Sequence, residues 1–139
     1  MKAILLIFLL IVIPFHAFGF CFEEAGELYG ISPLLLWAIA GVESNFDPRA
    51  LNWNPDGSYD FGLMQINSFW AEVIGMRNWL RLGDPCTNVK TGAWILSRCI
   101  ESYGYTWEAV GCYNARSSEK RARYANRIYR KLIERGGGR

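Results

Sequence analysis

The sequence lacks internal repeats, low-complexity runs and internal linkers, and it has no apolar run long enough to cross a membrane. The absence of repeats and linkers argues against a repeat array or several domains. The longest apolar run, residues 3–13, has eleven residues before Pro14. A bilayer core needs about 20 residues, so we expect no permanent membrane span.

The short apolar run instead predicts a cleaved export signal. Met1 and Lys2 form a positive start, and residues 17–19 have the small-x-small form of a cleavage site. We therefore expect a signal peptide over 1–19, export to the periplasm, one domain over 20–135 and a flexible, glycine-rich tail over 136–139. Because Phe20 precedes Cys21, where a lipoprotein site favours a small residue, we do not expect lipidation.

The four cysteines lack CxxC spacing, which argues against a zinc site and favours two disulfides in an exported chain. Cys86 and Cys99 flank a predicted helix whose thirteen residues extend about 20 Å, beyond the ~7 Å that a disulfide tolerates. Two pairings remain: Cys21–Cys86 with Cys99–Cys112, or Cys21–Cys99 with Cys86–Cys112. The first is preferred, because Cys99 and Cys112 lie on consecutive predicted helices joined by a short turn.

Charge is distributed unevenly along the chain. Residues 20–115 contain eleven Asp or Glu against five Lys or Arg, whereas residues 116–139 contain nine Lys or Arg against two Asp or Glu. The basic end is suited to an anionic polymer, a membrane surface or an acidic protein partner, or it is simply a solvated final helix. We expect no nucleic-acid partner.

Apolar spacing predicts a mainly helical domain. Helices are predicted over residues 22–29, where Gly30 ends the helix, and over 68–74 and 107–113. Others begin at Pro33, after an N-cap at Thr87, and at either Ser117 or Ser118. The second helix has apolar residues at i, i+3, i+4 and i+7, and Glu43 follows that stripe at the helix end. In the last helix the predicted buried stripe is Ala125, Ile128, Tyr129 and Leu132.

Residues 51–61 interrupt the helical period. They are rich in turn-forming residues, and Pro55, Asp56 and Gly57 predict a tight turn between short strands. The fold class is therefore mainly α, with one small β-hairpin or ordered loop.

Glu43 is the candidate acid for cleaving a glycosidic bond. The bridging oxygen is a poor leaving group until it is protonated, so the acid needs a pKa near the working pH. Burial beside Val42 and Phe46, and the negative end of its own helix, would both raise the pKa of Glu43. Asp60 follows seventeen residues later as a candidate second carboxylate.

Four motifs, in order, resemble those of the family 1 lytic transglycosylases: Glu43-Ser44, residues 62–66, residues 113–115 and Tyr124-Ala125. Residues 21–23, 84–86 and 92–96 are similar to the small, specialised members that accompany type III secretion, conjugation and pilus systems. The resemblance implies a lysozyme-like fold and no cofactor or metal. One departure is that Cys112 and Arg116 flank residues 113–115, where the family has alanine and glycine.

The resemblance also implies roles for individual residues. Glu43 would protonate the oxygen between N-acetylmuramic acid and N-acetylglucosamine, then act as base on the muramyl 6-hydroxyl to give a 1,6-anhydro product. The residues expected to bind the sugars are Ser44, Met64, Gln65, Tyr113, Asn114 and Tyr124. For Tyr124, a purely core position is the alternative.

Residues 43–46 and 56–60 also resemble the c-type lysozymes, whose two catalytic carboxylates share this spacing. Asp60 would then stabilise an oxocarbenium ion or form a covalent intermediate if it lay about 5–5.5 Å from Glu43. The alternative is a carboxylate that ends a strand. Trp53, in the same loop, would stack on a sugar.

Three functions follow. The first is a peptidoglycan lytic transglycosylase that opens the wall for a secretion or pilus apparatus, with the basic final helix as a docking element. The second is a hydrolytic, lysozyme-like muramidase that uses both Glu43 and Asp60. The third is a non-catalytic saccharide-binding protein on the same scaffold.

Overall fold

The structure, a computed structural model, describes residues 19–136. The predicted signal peptide, except for Gly19, and the last three residues of the predicted tail lie outside this range. Within it the chain forms seven helices and one three-stranded antiparallel sheet, so the predicted fold class is confirmed. The elements are α1 (Phe22–Tyr29), α2 (Pro33–Ser44), β1 (Leu51–Trp53), β2 (Tyr59–Phe61), β3 (Ile66–Asn67), α3 (Trp70–Ile74), α4 (Met76–Trp79), α5 (Pro85–Tyr103), α6 (Trp107–Cys112) and α7 (Ser118–Gly136).

Helix α2 is the central element of the core. Pro33 occupies its first turn, where a missing N–H costs nothing, and Glu43 lies in its last turn, as predicted. Leu36 and Ile39 are fully buried, because α1, α5 and α7 all pack against α2. The acid candidate therefore lies at the end of a helix that packs against three others.

The sheet follows α2 directly and carries the second carboxyl. Asn52 pairs with Asp60, and Asp60 pairs with Asn67 across the next strand. Cross-strand partners project to the same face, so these three polar side chains share one face of the sheet. The two-stranded excursion over 51–61 is confirmed, whereas β3 was not predicted, because two residues show no periodicity.

Helix α5 begins earlier than predicted. Asp84, not Thr87, is its N-cap, and the Asp84 carboxylate accepts hydrogen bonds from the Thr87 backbone N–H and hydroxyl, each at 2.7 Å. Pro85 then occupies the first helical turn. The prediction of Thr87 as the N-cap was therefore wrong, because Thr87 is the residue that donates hydrogen bonds to the cap.

Both disulfides have the preferred pairing. Cys21 is bonded to Cys86 and ties the start of α1 to the start of α5, while Cys99 is bonded to Cys112 and ties α5 to the end of α6. Cys86 and Cys99 lie on the same helix, which confirms the reason for excluding a bond between them.

Helix α7 packs on α2 and α6 through a face that differs in part from the predicted stripe. Tyr124 is 1% exposed and Ile128 is fully buried, whereas Tyr129 is 49% exposed and meets Trp107 edge to face. The predicted burial of Tyr129 was therefore wrong, because the buried face is centred on the i, i+4 pair of Tyr124 and Ile128.

No helix formed by residues 19–136 has the length and apolar character needed to cross a membrane. Within the same residues, the one cluster with the composition of a metal site is Cys21, Glu24 and Cys86. Its two sulfurs are bonded to each other, so no thiolate is available there.

Candidate active site

An open groove of about 1100 Å³ runs between the sheet, α3 and the loop that joins α6 to α7. Glu43 and Asp60 both lie in its wall, so the structure brings the two predicted carboxyls to one site. The lining residues are Glu43, Asn54, Pro55, Asp56, Ser58, Asp60, Gln65, Ile66, Asn67, Phe69, Trp70, Val73, Ile95, Cys112, Tyr113, Asn114, Ala115, Arg116 and Lys120.

The Glu43 carboxyl at the groove keeps its proton to a higher pH than an ordinary glutamate. Burial raises its pKa from 4.5 to about 7, outweighing a hydrogen bond from Tyr124 and the positive charge of Arg127, which both lower it. The Asp60 charge raises the pKa further, by the smallest of the four effects. A carboxyl with this pKa is able to donate a proton near neutral pH.

Tyr124 connects the core to the acid. Its hydroxyl donates to Oε1 of Glu43 at 2.5 Å, although its side chain is almost completely buried. Tyr124 therefore occupies the core position that was the alternative, and it reaches the site through Glu43, while its contact with a sugar stays a prediction. Burial raises the pKa of Tyr124 well above the ordinary range, so its hydroxyl keeps its proton and remains a donor.

Tyr113 lies against Tyr124, with the ring centroids 6.5 Å apart and the planes nearly parallel. Its hydroxyl donates to the Met64 carbonyl at 2.7 Å. Burial also raises the pKa of Tyr113. The two rings together hold the α6–α7 junction against the loop before β3.

Asp60 is positioned by amides, not by Glu43. Its two carboxylate oxygens accept hydrogen bonds from Asn54 Nδ2 at 3.0 Å and from Asn67 Nδ2 at 2.8 Å. Among residues 19–136, no hydrogen bond joins the Asp60 carboxylate to Glu43, whose Oε1 accepts from Tyr124. Asp60 supplies negative charge to the groove from a fixed position.

The loop between β2 and β3 depends on a buried amide that the sequence pattern did not reveal. Asn88, on α5, accepts from the Met64 N–H at 2.9 Å and donates to the Phe61 and Leu82 carbonyls at 3.1 and 3.3 Å. Gly62 has a φ of +80°, and a Cβ there would lie 2.2 Å from Asn88 Nδ2. Glycine is therefore required both by conformation and by space.

The predicted sugar-binding residues occupy different kinds of position. Gln65 and Asn114 line the groove, and the Gln65 side chain is fixed by Asn52, whose Nδ2 donates to Gln65 Oε1 at 2.7 Å. Ser44 donates to the Leu63 carbonyl at 2.8 Å, and Met64 is fully buried. Ser44 and Met64 thus shape the loop instead of facing the groove.

The structure does not bring Trp53 into the groove. Trp53 pairs with Tyr59, one residue away from the Asn52–Asp60 pair, so it lies on the opposite face of the sheet from Asp60. It is 67% exposed, and its ring centroid lies 5.0 Å from that of Tyr59. The register of β1 on β2, which the sequence alone does not give, separates Trp53 from Asp60.

Arg127 is a site residue that the sequence pattern did not single out. Its guanidinium lies 5.2 Å from the centroid of the Tyr124 ring, and its charge lowers the pKa of Glu43. On a helix with so many cations, spacing alone does not identify the one next to the acid. Only the packing of α7 on α2 does so.

A lysozyme-like fold that places a carboxyl with a raised pKa in an open groove is typical of enzymes that cleave glycosidic bonds. The family is given by comparison: residues 20–132 match the family described as "Transglycosylase SLT domain". The chain belongs to this family, the lytic transglycosylases, which are enzymes that cleave glycosidic bonds in peptidoglycan.

Related proteins agree with this assignment. The chain is 47% identical over 126 residues to "Invasion protein IagB" of Salmonella typhimurium (strain SL1344), covering 84% of this chain and 79% of the relative. It is 41% identical over 132 residues to "Protein IpgF" of Shigella flexneri, covering 90% and 87%.

A solved structure shares the fold. The lytic transglycosylase Slt inactive mutant E503Q from Pseudomonas aeruginosa superposes with a TM-score of 0.64 at 19% identity. The match covers 84% of this chain but only 23% of that one, so the chain spans less than a quarter of the length of that protein.

Proposed function

We propose that this protein cleaves the β-1,4 bond between N-acetylmuramic acid and N-acetylglucosamine and leaves a 1,6-anhydro end. The observation that carries the proposal is the state of Glu43, a buried carboxyl with a pKa of about 7 at an open groove. A single group that is half protonated near neutral pH is suited to serve first as acid and then as base.

Glu43 performs two proton transfers in the proposed reaction. Its carboxyl proton moves to the glycosidic oxygen while the bond from the muramyl C1 to that oxygen breaks, leaving an oxocarbenium-like C1. The Glu43 carboxylate then takes the proton of the muramyl 6-hydroxyl, whose oxygen bonds to C1. No water enters, because the nucleophile belongs to the substrate and proximity replaces an external one.

The other predicted site residues support these steps. Gln65, Tyr113 and Asn114 contact the sugars from the groove wall, while Ser44 and Met64 hold the loop. Asp60 stabilises positive charge at C1 from its amide-bound position. Tyr124 orients Glu43 through its hydroxyl.

Mass spectrometry of the muropeptides released from purified peptidoglycan sacculi tests the proposal. We expect anhydromuramyl ends, each lighter by one water than a reducing end, and no release by the Glu43→Gln variant. Because the introduced amide keeps a hydrogen-bond acceptor for Tyr124 but has no acidic proton, the variant separates chemistry from packing. Reducing ends as the main product would overturn the proposal.

Those reducing ends would favour the second candidate, a hydrolytic muramidase. The observation behind it is that Asp60 lies in the same groove as Glu43. Amides engage both Asp60 oxygens, which favours the first candidate. A Glu43→Gln variant with unchanged biological activity would favour a non-catalytic saccharide-binding role.

We also propose that the protein acts in the periplasm, opening the wall where a secretion or pilus apparatus assembles. The two disulfides and the peptidoglycan substrate of the family support an exported location. One relative is named as an invasion protein, which supports the link to secretion. N-terminal sequencing of the protein from periplasmic extract should begin at Phe20, and an intact Met1 would contradict export by cleavage.

The basic final helix is the proposed docking element for that apparatus. Deleting it is not a usable test, because α7 contributes Tyr124 to the site and Ile128 to the core. Lys131 and Arg135, which lie over the Trp37 ring, are better targets for charge reversal. We expect Lys131→Glu/Arg135→Glu to reduce co-purification with apparatus components and to leave sacculus digestion unchanged. Unchanged co-purification would contradict docking through this surface.

A further inference from the structure

A second, smaller cleft of about 420 Å³ lies beside the groove. The residues that line it are Asn114, Lys120, Arg123, Tyr124, Asn126, Arg127 and Arg130. The cations at 120, 123, 127 and 130 follow one face of α7, because these spacings of three and four residues return to the same side of a helix. Among the described residues no carboxylate lines this cleft, so it presents only positive charge.

Most of that charge is free to meet a ligand. Arg123 forms a salt bridge with Glu119, but Lys120, Arg127 and Arg130 make none with any residue in the described range 19–136. Arg127 is held over the Tyr124 ring, which fixes its guanidinium without neutralising it. The Arg127 charge also acts on Glu43, whose pKa it lowers, so Lys120 and Arg130 are the cations of this cleft that have no acidic partner in the described range. Neighbouring cations repel one another, and an anionic ligand relieves that repulsion.

The basic cleft is continuous with the catalytic groove. Asn114 and Lys120 line both, and Tyr124, which lines the cleft, donates its hydroxyl to Glu43 in the groove. An anion in the cleft therefore lies beside whatever sugar occupies the groove. This placement favours a charged substituent of the glycan over a separate anionic molecule.

We propose that the basic cleft is a carboxylate-binding subsite that takes the acidic peptide carried by a muramyl sugar in the groove. The sugars of the glycan backbone present hydroxyls and acetamides, which are neutral, while the peptide attached to the muramyl lactyl group carries free carboxylates. Arginine pairs with carboxylates in bidentate geometry, so Arg127 and Arg130 match that chemistry. The inference rests on the proposed function, since it requires peptidoglycan in the groove.

The subsite makes the enzyme selective for glycan that still carries its peptides. A neutral strand fills the groove alone, whereas a peptide-bearing strand also fills the cleft. The cations of the cleft add binding affinity but do not contact the scissile bond. We therefore expect the selectivity in the dissociation constant and not in the rate of bond cleavage.

Binding by the Glu43→Gln protein tests the subsite without turnover. Fluorescently labelled glycan strands are prepared with their peptides and, by amidase treatment, without them. We expect the peptide-bearing strands to bind about tenfold more tightly at low ionic strength, with the preference shrinking toward onefold at high salt as the charges are screened.

Arg130→Glu in the Glu43→Gln background is the decisive variant, because Arg130 lines the cleft but not the groove. We expect it to lower the preference by about fivefold or more, and Arg130→Lys to restore most of it. Arg77→Glu, which makes the same charge change on α4 away from both cavities, should leave the preference intact.

Equal affinity for both kinds of strand would overturn the subsite, and so would a preference that Arg130→Glu does not change. If Arg130→Glu instead abolished co-purification with an acidic protein and left strand binding unchanged, the cleft would be a protein-docking surface and the proposal would be wrong. A wild-type enzyme that releases no anhydromuropeptides would count against the proposed reaction, whereas the binding preference is read independently of cleavage.

Discussion

At the residue scale, the proposed reaction depends on one carboxyl, Glu43, whose pKa is raised by burial. One hydrogen bond and two charges adjust the Glu43 pKa: the Tyr124 hydroxyl and the Arg127 charge lower it, and the Asp60 charge raises it. Burial outweighs them, because removing a carboxylate from water costs more than one hydrogen bond and one partly solvated cation return.

The pH dependence of the reaction follows from this balance. Since Glu43 must be protonated to act as the acid, the rate should fall about tenfold per pH unit above its pKa of about 7. Tyr124→Phe removes the hydrogen bond that lowers the Glu43 pKa, so the decline of the rate with rising pH should move to higher pH. Turbidity loss of sacculi, measured from pH 5 to 9, provides both profiles. A decline that moves to lower pH in Tyr124→Phe would contradict the proposed role.

The raised pKa of Glu43 also predicts that the free energy of unfolding depends on pH. The folded-state pKa of Glu43, about 7, exceeds the ordinary value of 4.5. The contribution of Glu43 to the free energy of unfolding is therefore fully present below pH 4.5 and is lost as the pH rises through about 7. The difference corresponds to at most ~3 kcal/mol. Glu43→Gln lacks this titration and should therefore be more stable than wild type at pH 8, with a smaller advantage at pH 5.

Urea denaturation at the two pH values measures this effect. A matched control is Asp47→Asn, which removes an exposed carboxyl close to the same helix end. A Glu43→Gln protein that gains no stability at pH 8 would show that the carboxyl is solvated.

Site residues that belong to a sequence motif could be predicted, whereas site residues whose role arises from packing between helices could not. Glu43, Asp60, Gln65 and Asn114 were identified from the sequence and all lie in the groove. Arg127 was not, because its role arises from the contact between α7 and α2. Burial of Tyr124 and its bond to Glu43 likewise needed the fold.

At the element scale, hydrogen bonds from the Asn88 side chain on α5 hold the loop between β2 and β3. Gly62→Ala should destabilise the protein by more than about 2 kcal/mol, because the added Cβ meets the Asn88 amide in addition to the cost of a positive φ. Gly57→Ala is the control, since Gly57 has a similar φ of +85° but nothing within 4 Å of an added Cβ. Equal losses of unfolding free energy in the two variants would contradict the role assigned to Asn88.

Elements with several turns of regular pattern were predictable, and short ones were not. The bounds of α1 were predicted from its apolar spacing and Gly30, whereas β3 and α4 contain too few residues to show a period. The cap of α5 was placed on Thr87 because both Asp84 and Thr87 are good caps, and only the observed hydrogen bonds distinguish them.

At the scale of the whole molecule, the two disulfides constrain the chain unequally. Cys21–Cys86 closes a loop with a sequence separation of 65, and Cys99–Cys112 one with a separation of 13. Loop-closure entropy assigns them about 4 and about 3 kcal/mol. Replacing each pair by alanine should therefore lower the denaturation midpoint more for the first pair. The reverse order would contradict an entropic origin of their contribution.

The central claim is that one proton donor, Glu43, carries the reaction and that Asp60 assists it through charge alone. Digestion rates of purified sacculi, measured side by side for Glu43→Gln and Asp60→Asn, test this claim most directly. We predict that Glu43→Gln loses nearly all turnover and that Asp60→Asn retains a measurable fraction with anhydromuramyl products. Equal, near-complete losses in the two variants would contradict the claim and assign Asp60 a covalent role.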